Sequence, residues 1–401
     1  MWLASRDFEA AMRANLTLCA LAHGAWHMYE MALPPIYPSL MRELSLSYTQ
    51  VGLLVSTFAA LRVSLELPMG HLSDKRGCKP FVSLFMLIYA IGIVGVSLAR
   101  DYWQLLLSIA AAGIGASAYH PGGTALTAKS FPKGRGRAMG LSIASGPAGS
   151  MIGPLLLGVF GAVMGWRDAL RILAIPGIAI AILFWRLAVE PGIGSDGDPS
   201  GRKSSDLPKE RGPILRHFSI PIALALAVSA MRGVYWNGFN SFFPTYLRNY
   251  RAFDQSSVAY IFSAIMGASA IGIAIGGFAS DRIGRRKVVL LSAAIPAILI
   301  PSILPAGDYM VPILAVAAGL SSSLEGAALT ALIADLSPPE VLGKIFALNF
   351  SIQAAIGALV TPLIFGWLAD AIGLWAIFPA TAASCVAMIA LTLMIRRERR
   401  E

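Results

Sequence analysis

Charged residues are scarce in this sequence of 401 residues. Only 13% are Asp, Glu, Lys or Arg, whereas 56% are hydrophobic, and the mean hydropathy is +0.67. Soluble domains carry roughly 25% charged residues, and a soluble chain of this length would need charged surface around two or three separate cores. The composition therefore excludes an ordinary soluble enzyme and predicts that lipid surrounds most of the chain.

Cysteine and histidine are also few. Cys19, Cys78 and Cys385 lie far apart, so their spacing predicts packing residues and neither a disulfide framework nor a zinc site. Five histidines are too few for the histidine boxes of a membrane-embedded oxygenase, and no Gly-x-x-x-x-Gly-Lys motif is present to bind ATP phosphates. We therefore expect no enzymatic activity, no cofactor and no ATP-driven pumping.

Long apolar runs dominate the rest of the sequence. A membrane-spanning helix needs about 20 mostly apolar residues, and twelve such runs are separated by charged or turn-forming residues. The runs lack the alternation of barrel strands, so we predict an all-α membrane protein with 12 transmembrane helices. The predicted spans 1 to 12 are 16–39, 48–71, 80–99, 104–128, 137–163, 168–189, 216–247, 256–280, 287–305, 310–334, 343–369 and 373–395.

One polar stretch and the distribution of basic residues predict how the chain is divided and how it is oriented in the membrane. Residues 190–215 have the Gly, Ser, Asp and Pro content of a flexible linker, which predicts six-helix halves at 1–189 and 216–401. If the linker and both termini share one side, that side carries 24 Lys and Arg and the other side carries 6. The positive-inside rule then predicts that the protein lies in the inner membrane with the linker and both termini in the cytoplasm. This asymmetry accounts for the net charge of +10, so we expect no nucleic-acid partner.

Two loops repeat at a constant spacing. Residues 70–79 read GHLSDKRGCK after span 2, and residues 277–287 read GFASDRIGRRK after span 8, with two glycines and an aspartate 207 residues apart. The chain is therefore predicted to contain two related halves with pseudo-two-fold symmetry.

These loops resemble the signature of the major facilitator superfamily, G-x-L-x-D-[RK]-x-G-[RK]-[RK], although Cys78 replaces one basic residue and Ala279 replaces the leucine. The resemblance implies the major facilitator fold and alternating access, in which the loops gate the cytoplasmic side. It assigns gating to Gly70, Asp74, Arg76, Gly77, Gly277, Asp281, Arg282, Gly284 and Arg285. For the basic residues among these, topology anchoring is the alternative.

Two further resemblances concern the direction of transport and the substrate. Residues 146–158, GPAGSMIGPLLLG, are similar to the fifth-helix motif of the superfamily's antiporters, with close small-residue packing as the alternative. Residues 33–38 and 46–52 and the pair His120-Pro121 are similar to the fosmidomycin-resistance branch, which exports an anionic phosphonate drug. That branch tends to carry acidic residues where His27 and Gly122 stand. The resemblance implies proton-coupled efflux of a small organic anion.

Eight His, Glu or Arg residues lie inside predicted spans and away from the span ends, where charge is costly and therefore indicates function. They are His23, His27, Glu30, Arg62, Glu66, His120, Arg232 and Glu325. All but Arg62 and Glu66 lie on spans 1, 4, 7 and 10, which by resemblance line the central cavity. Arg62 and Glu66 are four residues apart on span 2 and can pair with each other.

Residues 23, 27 and 30 share one face of span 1 and can converge with His120 near the middle of the membrane. Three interpretations remain open: a proton relay, polar packing inside the bundle, and a metal site formed by His23, His27, Glu30 and His120. The metal site would make the protein a transition-metal or metal-chelate transporter.

Span 7 combines a cation with aromatic and amide side chains. Arg232 and Arg62 offer counter-charge for an anion, unless Glu325 neutralises Arg232, and Tyr235, Trp236 and Asn237 offer contacts to an organic group. Core packing is the alternative for the two rings. The expected partners are a small solute, protons and the lipid bilayer, and we expect the chain to act as a monomer.

Overall fold

The computed structural model describes residues 2–191 and 219–395, without the side chains of residues 2–8 and Glu340. The predicted linker, residues 190–215, lies outside the described residues apart from its first two. All regular secondary structure in the described ranges is helical, so the all-α prediction is confirmed.

Eight helices, which we call the N-half, cover the first six predicted spans. They are α1 (Trp2–Ala32), α2 (Tyr37–Leu44), α3 (Tyr48–Arg76), α4 (Cys78–Leu98), α5 (Tyr102–Ala116), α6 (Tyr119–Ser130), α7 (Arg135–Met164) and α8 (Trp166–Leu187). A 3₁₀ turn, Pro34–Ile36, joins the first two, so the helix of span 1 ends earlier than predicted.

Eight more helices, the C-half, cover the last six spans. They are α9 (Ile220–Asn249), α10 (Gln255–Ile283), α11 (Arg285–Ser302), α12 (Met310–Ser322), α13 (Glu325–Leu336), α14 (Leu342–Ile352), α15 (Thr361–Ile372) and α16 (Ile377–Met394). A π-helical segment, Gln353–Val360, joins α14 to α15. Among the described residues, eight helical stretches are long and apolar enough to cross a membrane by length and composition. The count of twelve crossings stays a prediction.

Spans 4 and 10 are interrupted at equivalent positions. Span 4 breaks between α5 and α6, where Pro121 has no N–H to continue the ladder and fits only the first turn of a new helix. Span 10 breaks between α12 and α13, where the hydroxyls of Ser321 and Ser322 bond to carbonyls of the preceding turn. The breaks place His120 and Glu325 near the start of a helix in each half.

Two helix pairs make most of the contact between the halves: α3 packs on α15, and α7 packs on α10. We call the end of the bundle that carries the turns at Gly77 and Gly284 the loop end, and the opposite end, with Ser47 and Asp370, the far end. Close approach of α3 to α15 depends on Gly52, where a Cβ would overlap the backbone of Pro362. Glycine is also needed at both loop-end turns, since φ is 91° and 96° there.

Every hydrogen bond between the halves in the described ranges lies in the far half of the bundle. The two bonds nearest the middle of the bundle run from Ser56 Oγ to the Leu359 carbonyl, at 2.5 Å, and from Ser263 Oγ to the Met151 carbonyl, at 2.8 Å. At the far end, Gln255 bridges to Ser39 Oγ and to the Pro35 carbonyl, at 3.0 and 2.6 Å, and Asp370 bonds to the start of α3. The far end is therefore closed.

The far end of α10 is fixed by a side-chain cap. Asp254 accepts hydrogen bonds from the backbone N–H groups of Ser256 and Ser257, both at 3.0 Å, and from the Ser257 hydroxyl. These hydrogen bonds lower the pKa of the Asp254 carboxyl, and the bond from the Ser257 hydroxyl has the largest effect. The cap holds Gln255 where it meets the N-half.

Candidate functional site

A cavity lies between the two halves, with about 620 Å³ of empty space that includes open solvent. The N-half contributes Glu30, Arg62 and Tyr37 to its wall, and the C-half contributes Trp236 and Asn237. Four of the predicted site residues thus face one space that both halves form. A cleft between two halves is a usual place for a small-molecule site, so this cavity is the candidate binding site.

Arg62 is the cation in the cavity wall. Its Nη1 donates to Glu66 Oε1 at 3.2 Å, and its guanidinium carbon lies 5.5 Å from the centre of the Trp26 ring. The sequence prediction that residues 62 and 66 pair agrees with this geometry. The Arg62 Nε is buried and has no hydrogen-bond partner within the described part of the chain. A buried donor without an acceptor is costly, so the Arg62 side chain has unused hydrogen-bonding capacity next to the cavity.

Three histidines come together beside the cavity. The ring centre of His23 lies 4.8 Å from that of His27 and 5.5 Å from that of His120, and the last two are 6.0 Å apart. Trp26 packs edge-on against His27 and His120, each at 4.6 Å. One face of α1 and the start of α6 therefore bring the three predicted histidines together.

Each histidine of α1 also has a polar partner on its other side. His23 Nδ1 lies 2.9 Å from the carbonyl oxygen of Ser142, and His27 Nδ1 lies 3.5 Å from Glu30 Oε2. Glu30 is therefore next to the histidines as well as in the cavity wall, so it connects the two groups.

The glycines of residues 146–158 make room for this arrangement. A Cβ at Gly146 would lie 2.7 Å from His23 Cε1 and 2.8 Å from His27 Cδ2. At Gly149 and Gly153 a Cβ would overlap the backbone of α1. In this structure the small residues thus serve close packing of α7 on α1 and on the imidazoles.

The ionisable residues of the C-half form a separate group. Arg232 on α9 pairs through Nε with Glu325 Oε1, and its Nη1 donates to Gln353 Oε1 at 2.9 Å. The Glu325 side chain is 2% exposed. Arg232 is therefore neutralised inside the C-half, and it does not line the cavity in this conformation.

Tyr235 is placed in the core as well. It is 5% exposed, and its ring stacks on that of Phe239 with centres 6.4 Å apart. Its neighbour Trp236 instead lines the cavity, and so does Asn237, whose Nδ2 donates to the Gly233 carbonyl at 3.0 Å. One turn of α9 thus divides its side chains between the core and the cavity.

The loop-end residues pair within their own halves. Asp74 Oδ1 lies 3.5 Å from Lys129 Nζ in the N-half, and Arg285 Nε lies 2.6 Å from Asp335 Oδ2 in the C-half. Exposed side chains occupy the other ionisable positions assigned to gating, namely Arg76, Asp281 and Arg282. Gly77 and Gly284 lie at the turns that follow α3 and α10, whereas Gly70 and Gly277 lie inside these helices, between one and two turns before their ends.

Some residues of this region were not identified from the sequence. Asn240 and Ser241 line the cavity, and Gln353 binds Arg232. Asn240 stands three residues after Asn237, and this spacing on one helix face could have identified it. Gln353 carries no charge, so a search for ionisable residues within spans passes over it.

Comparison with known proteins agrees with the fold. The family model for the Major Facilitator Superfamily matches residues 19–272 and 226–401. The chain is 26% identical over 370 residues to an uncharacterized MFS-type transporter, YfnC, of Bacillus subtilis (strain 168), covering 90% of this chain and 87% of that protein. It is 26% identical over 360 residues to the fosmidomycin resistance protein of Escherichia coli (strain K12), covering 88% and 85%.

A solved structure has the same fold. It is a bacterial homologue of the human lysosomal transporter Spinster, in an inward-facing and unoccupied conformation. The TM-score is 0.79, the sequence identity is 21%, and the match covers 96% of this chain and 95% of that one.

Proposed function

This chain belongs to the Major Facilitator Superfamily, and we propose that it exports a small organic anion across the inner membrane, coupled to protons. Membership of this family makes the chain a multi-pass membrane transporter of a small molecule and not an enzyme. The substrate class, the coupling ion and the direction are the proposed part.

The observation that carries the proposal is Arg62, which lines a cavity that both halves form and whose Nε has no hydrogen-bond partner among the described residues. Glu66 accepts from Nη1, so the guanidinium has hydrogen-bonding capacity that Glu66 does not use and that an anionic group can take up. The cavity also offers the Trp236 ring and the amides of Asn237 and Asn240 for the rest of the molecule. An organic anion fits this combination of charge, ring and amides.

Protons are proposed to bind at Glu30, which lies in the cavity wall. His27 Nδ1 contacts its carboxylate and helps to fix its position. Intramembrane Glu and Asp side chains serve as proton carriers in transporters. Glu30 therefore brings a proton-accepting group into the same cavity as Arg62.

The proposed orientation places both termini and the loop end in the cytoplasm. With the far end closed by hydrogen bonds between the halves, the cavity then faces the cytoplasm, and residues 1–189 and 216–401 act as the two bodies that move. Export is inferred from the likeness to a protein named for fosmidomycin resistance. A transition-metal or metal-chelate cargo is less well supported, because none of the three histidines lines the cavity.

Equilibrium binding to the purified protein tests the substrate class. The probes are fosmidomycin, a sugar carboxylate and the matching uncharged sugar. Arg62→Lys keeps the charge but removes the Nε donor and the planar guanidinium, so we expect affinity for the anions to fall by about tenfold. Arg171→Lys is the matched control, because Arg171 pairs with Asp168 on an exposed surface. Equal affinity for the neutral sugar, or anion binding unchanged by Arg62→Lys, would contradict the proposal.

A further inference from the structure

We propose that His23, His27 and His120 form a resident binding site for a divalent transition-metal ion such as Zn²⁺ within the N-half. One ring nitrogen from each of the three lies within 4.8 Å of the others. A tetrahedral zinc ion with Zn–N distances of about 2.0–2.1 Å needs nitrogens about 3.3 Å apart. The ring nitrogens are therefore up to roughly 1.5 Å farther apart than in an occupied site, and the proposal requires the imidazole rings to turn toward one another when the ion binds.

The two histidines of α1 are already oriented as metal ligands usually are. A metal-bound imidazole commonly donates its second ring N–H to a carbonyl or carboxylate. The carbonyl of Ser142 lies 2.9 Å from His23 Nδ1, and the carboxylate of Glu30 lies 3.5 Å from His27 Nδ1. This leaves Nε2 of both rings for the metal. Glu30 thus orients the His27 ligand. It is not itself a metal ligand, although the sequence placed it in the candidate metal site.

The surroundings favour a fixed site. Tyr119 stacks on His23 with ring centres 5.3 Å apart, Trp26 covers His27 and His120, and the backbone at Gly146 closes another side. The charged side chains that face the group are Glu30, beside His27, and Arg62, which is separated from the histidines by the Trp26 ring. Imidazole nitrogens in a partly dry, aromatic setting suit a borderline ion such as Zn²⁺.

The position of the histidines makes the metal a resident ligand and not the cargo. The ligands come from α1 and α6, which belong to one half, so rocking of the halves leaves the site intact. The triad is also absent from the lining of the cavity between the halves. A bound ion would therefore tie the first helix to the broken fourth span.

Metal titration of the purified, untagged protein tests this site. Co²⁺ serves as the spectroscopic probe and Zn²⁺ as the competitor. We expect one ion per chain, with the intense visible absorption of four-coordinate Co²⁺, displaced by Zn²⁺. His27→Ala and His120→Ala should each weaken binding at least tenfold, and Glu30→Gln about tenfold, as loss of a ligand-orienting group does. His71→Ala is the control, because His71 is exposed on α3 outside the triad, and it should bind as the wild type does.

X-ray absorption of the zinc-loaded wild type decides the matter without any variant. The proposal predicts three imidazole nitrogens at about 2.0–2.1 Å. Fewer than three imidazoles, no saturable binding, or a titration unchanged in His120→Ala would overturn it.

Discussion

The carboxylate of Asp370, at the end of α15, accepts hydrogen bonds from Thr49 at the start of α3, at 2.8 Å from its backbone N–H and 2.6 Å from its hydroxyl. The second oxygen accepts from the backbone N–H of Tyr48 at 3.0 Å. The first N–H groups of a helix have no partner inside the helix. Asp370 therefore completes the first turn of α3 from the other half of the protein, and this contact must break when the far end opens.

Removal of this carboxylate should favour opening of the far end. We expect Asp370→Ala to cost the closed state about 1 kcal/mol, as loss of a helix cap does, which is roughly a fivefold shift in population. The measurement is labelling by an impermeant maleimide, added at the far end of reconstituted protein, of a cysteine placed in the cavity wall by Asn240→Cys. Labelling should become several-fold faster.

Asp308→Ala is the matched control for that experiment. Asp308 is also an exposed carboxylate at the far end, but its partner Arg251 belongs to the same half. Its loss should leave labelling unchanged. Equal labelling in Asp370→Ala and the parent protein would mean that this contact does not hold the halves together.

Breaking the ion pair of Arg232 and Glu325 should lower the thermal stability of the protein. Glu325 is nearly fully buried, so Glu325→Leu leaves the Arg232 guanidinium in the bundle without its counter-charge. Breaking one partner of a buried pair typically costs about 3–5 kcal/mol, whereas replacing both is far less costly. We expect a large fall in Tm for Glu325→Leu in detergent and a recovery of much of it in the double variant with Arg232→Met. A double variant as unstable as the single one would contradict a direct pair.

Asp74 should affect transport more than stability. Its contact with Lys129 is mostly exposed, so Asp74→Asn should change the free energy of unfolding by less than about 1 kcal/mol. If Asp74 gates by contacts that form when the loop end closes, transport should fall in Asp74→Asn and persist in Lys129→Gln. An equal transport defect in both variants would mean that Asp74 acts only through its ion pair with Lys129.

Much of the architecture follows from local chemistry that the sequence displays. Apolar runs of spanning length predict the helices, and the repeated glycines predict the turns at Gly77 and Gly284. The convergence of His23 and His27 follows from their spacing of one helical turn on α1. Such features depend on residues close together in the chain, so the sequence suffices to predict them.

Contacts between distant parts of the chain were only partly predictable. The sequence left Arg232 either as a substrate-site cation or as the partner of Glu325, and the choice depends on the packing of a residue 93 positions away and on the π-helical segment at Gln353. Asp370 appears in the sequence as an ordinary acid at a helix end, and its role comes from the packing of α15 on α3. The break in span 10 depends on serine hydroxyls that bond to their own helix, a choice that hydropathy does not reveal.

Proton-driven flux gives the most direct test of the central claim. The claim is that Glu30 couples protons to the transport of an anion bound in the cavity that Arg62 lines. Everted vesicles with an acidic lumen are supplied with a radiolabelled organic anion outside. The account predicts accumulation in the wild type that collapses when the pH gradient is dissipated. In Glu30→Gln, accumulation should be lost while exchange of anion for anion continues. Gradient-driven accumulation that is undiminished in Glu30→Gln would contradict the account.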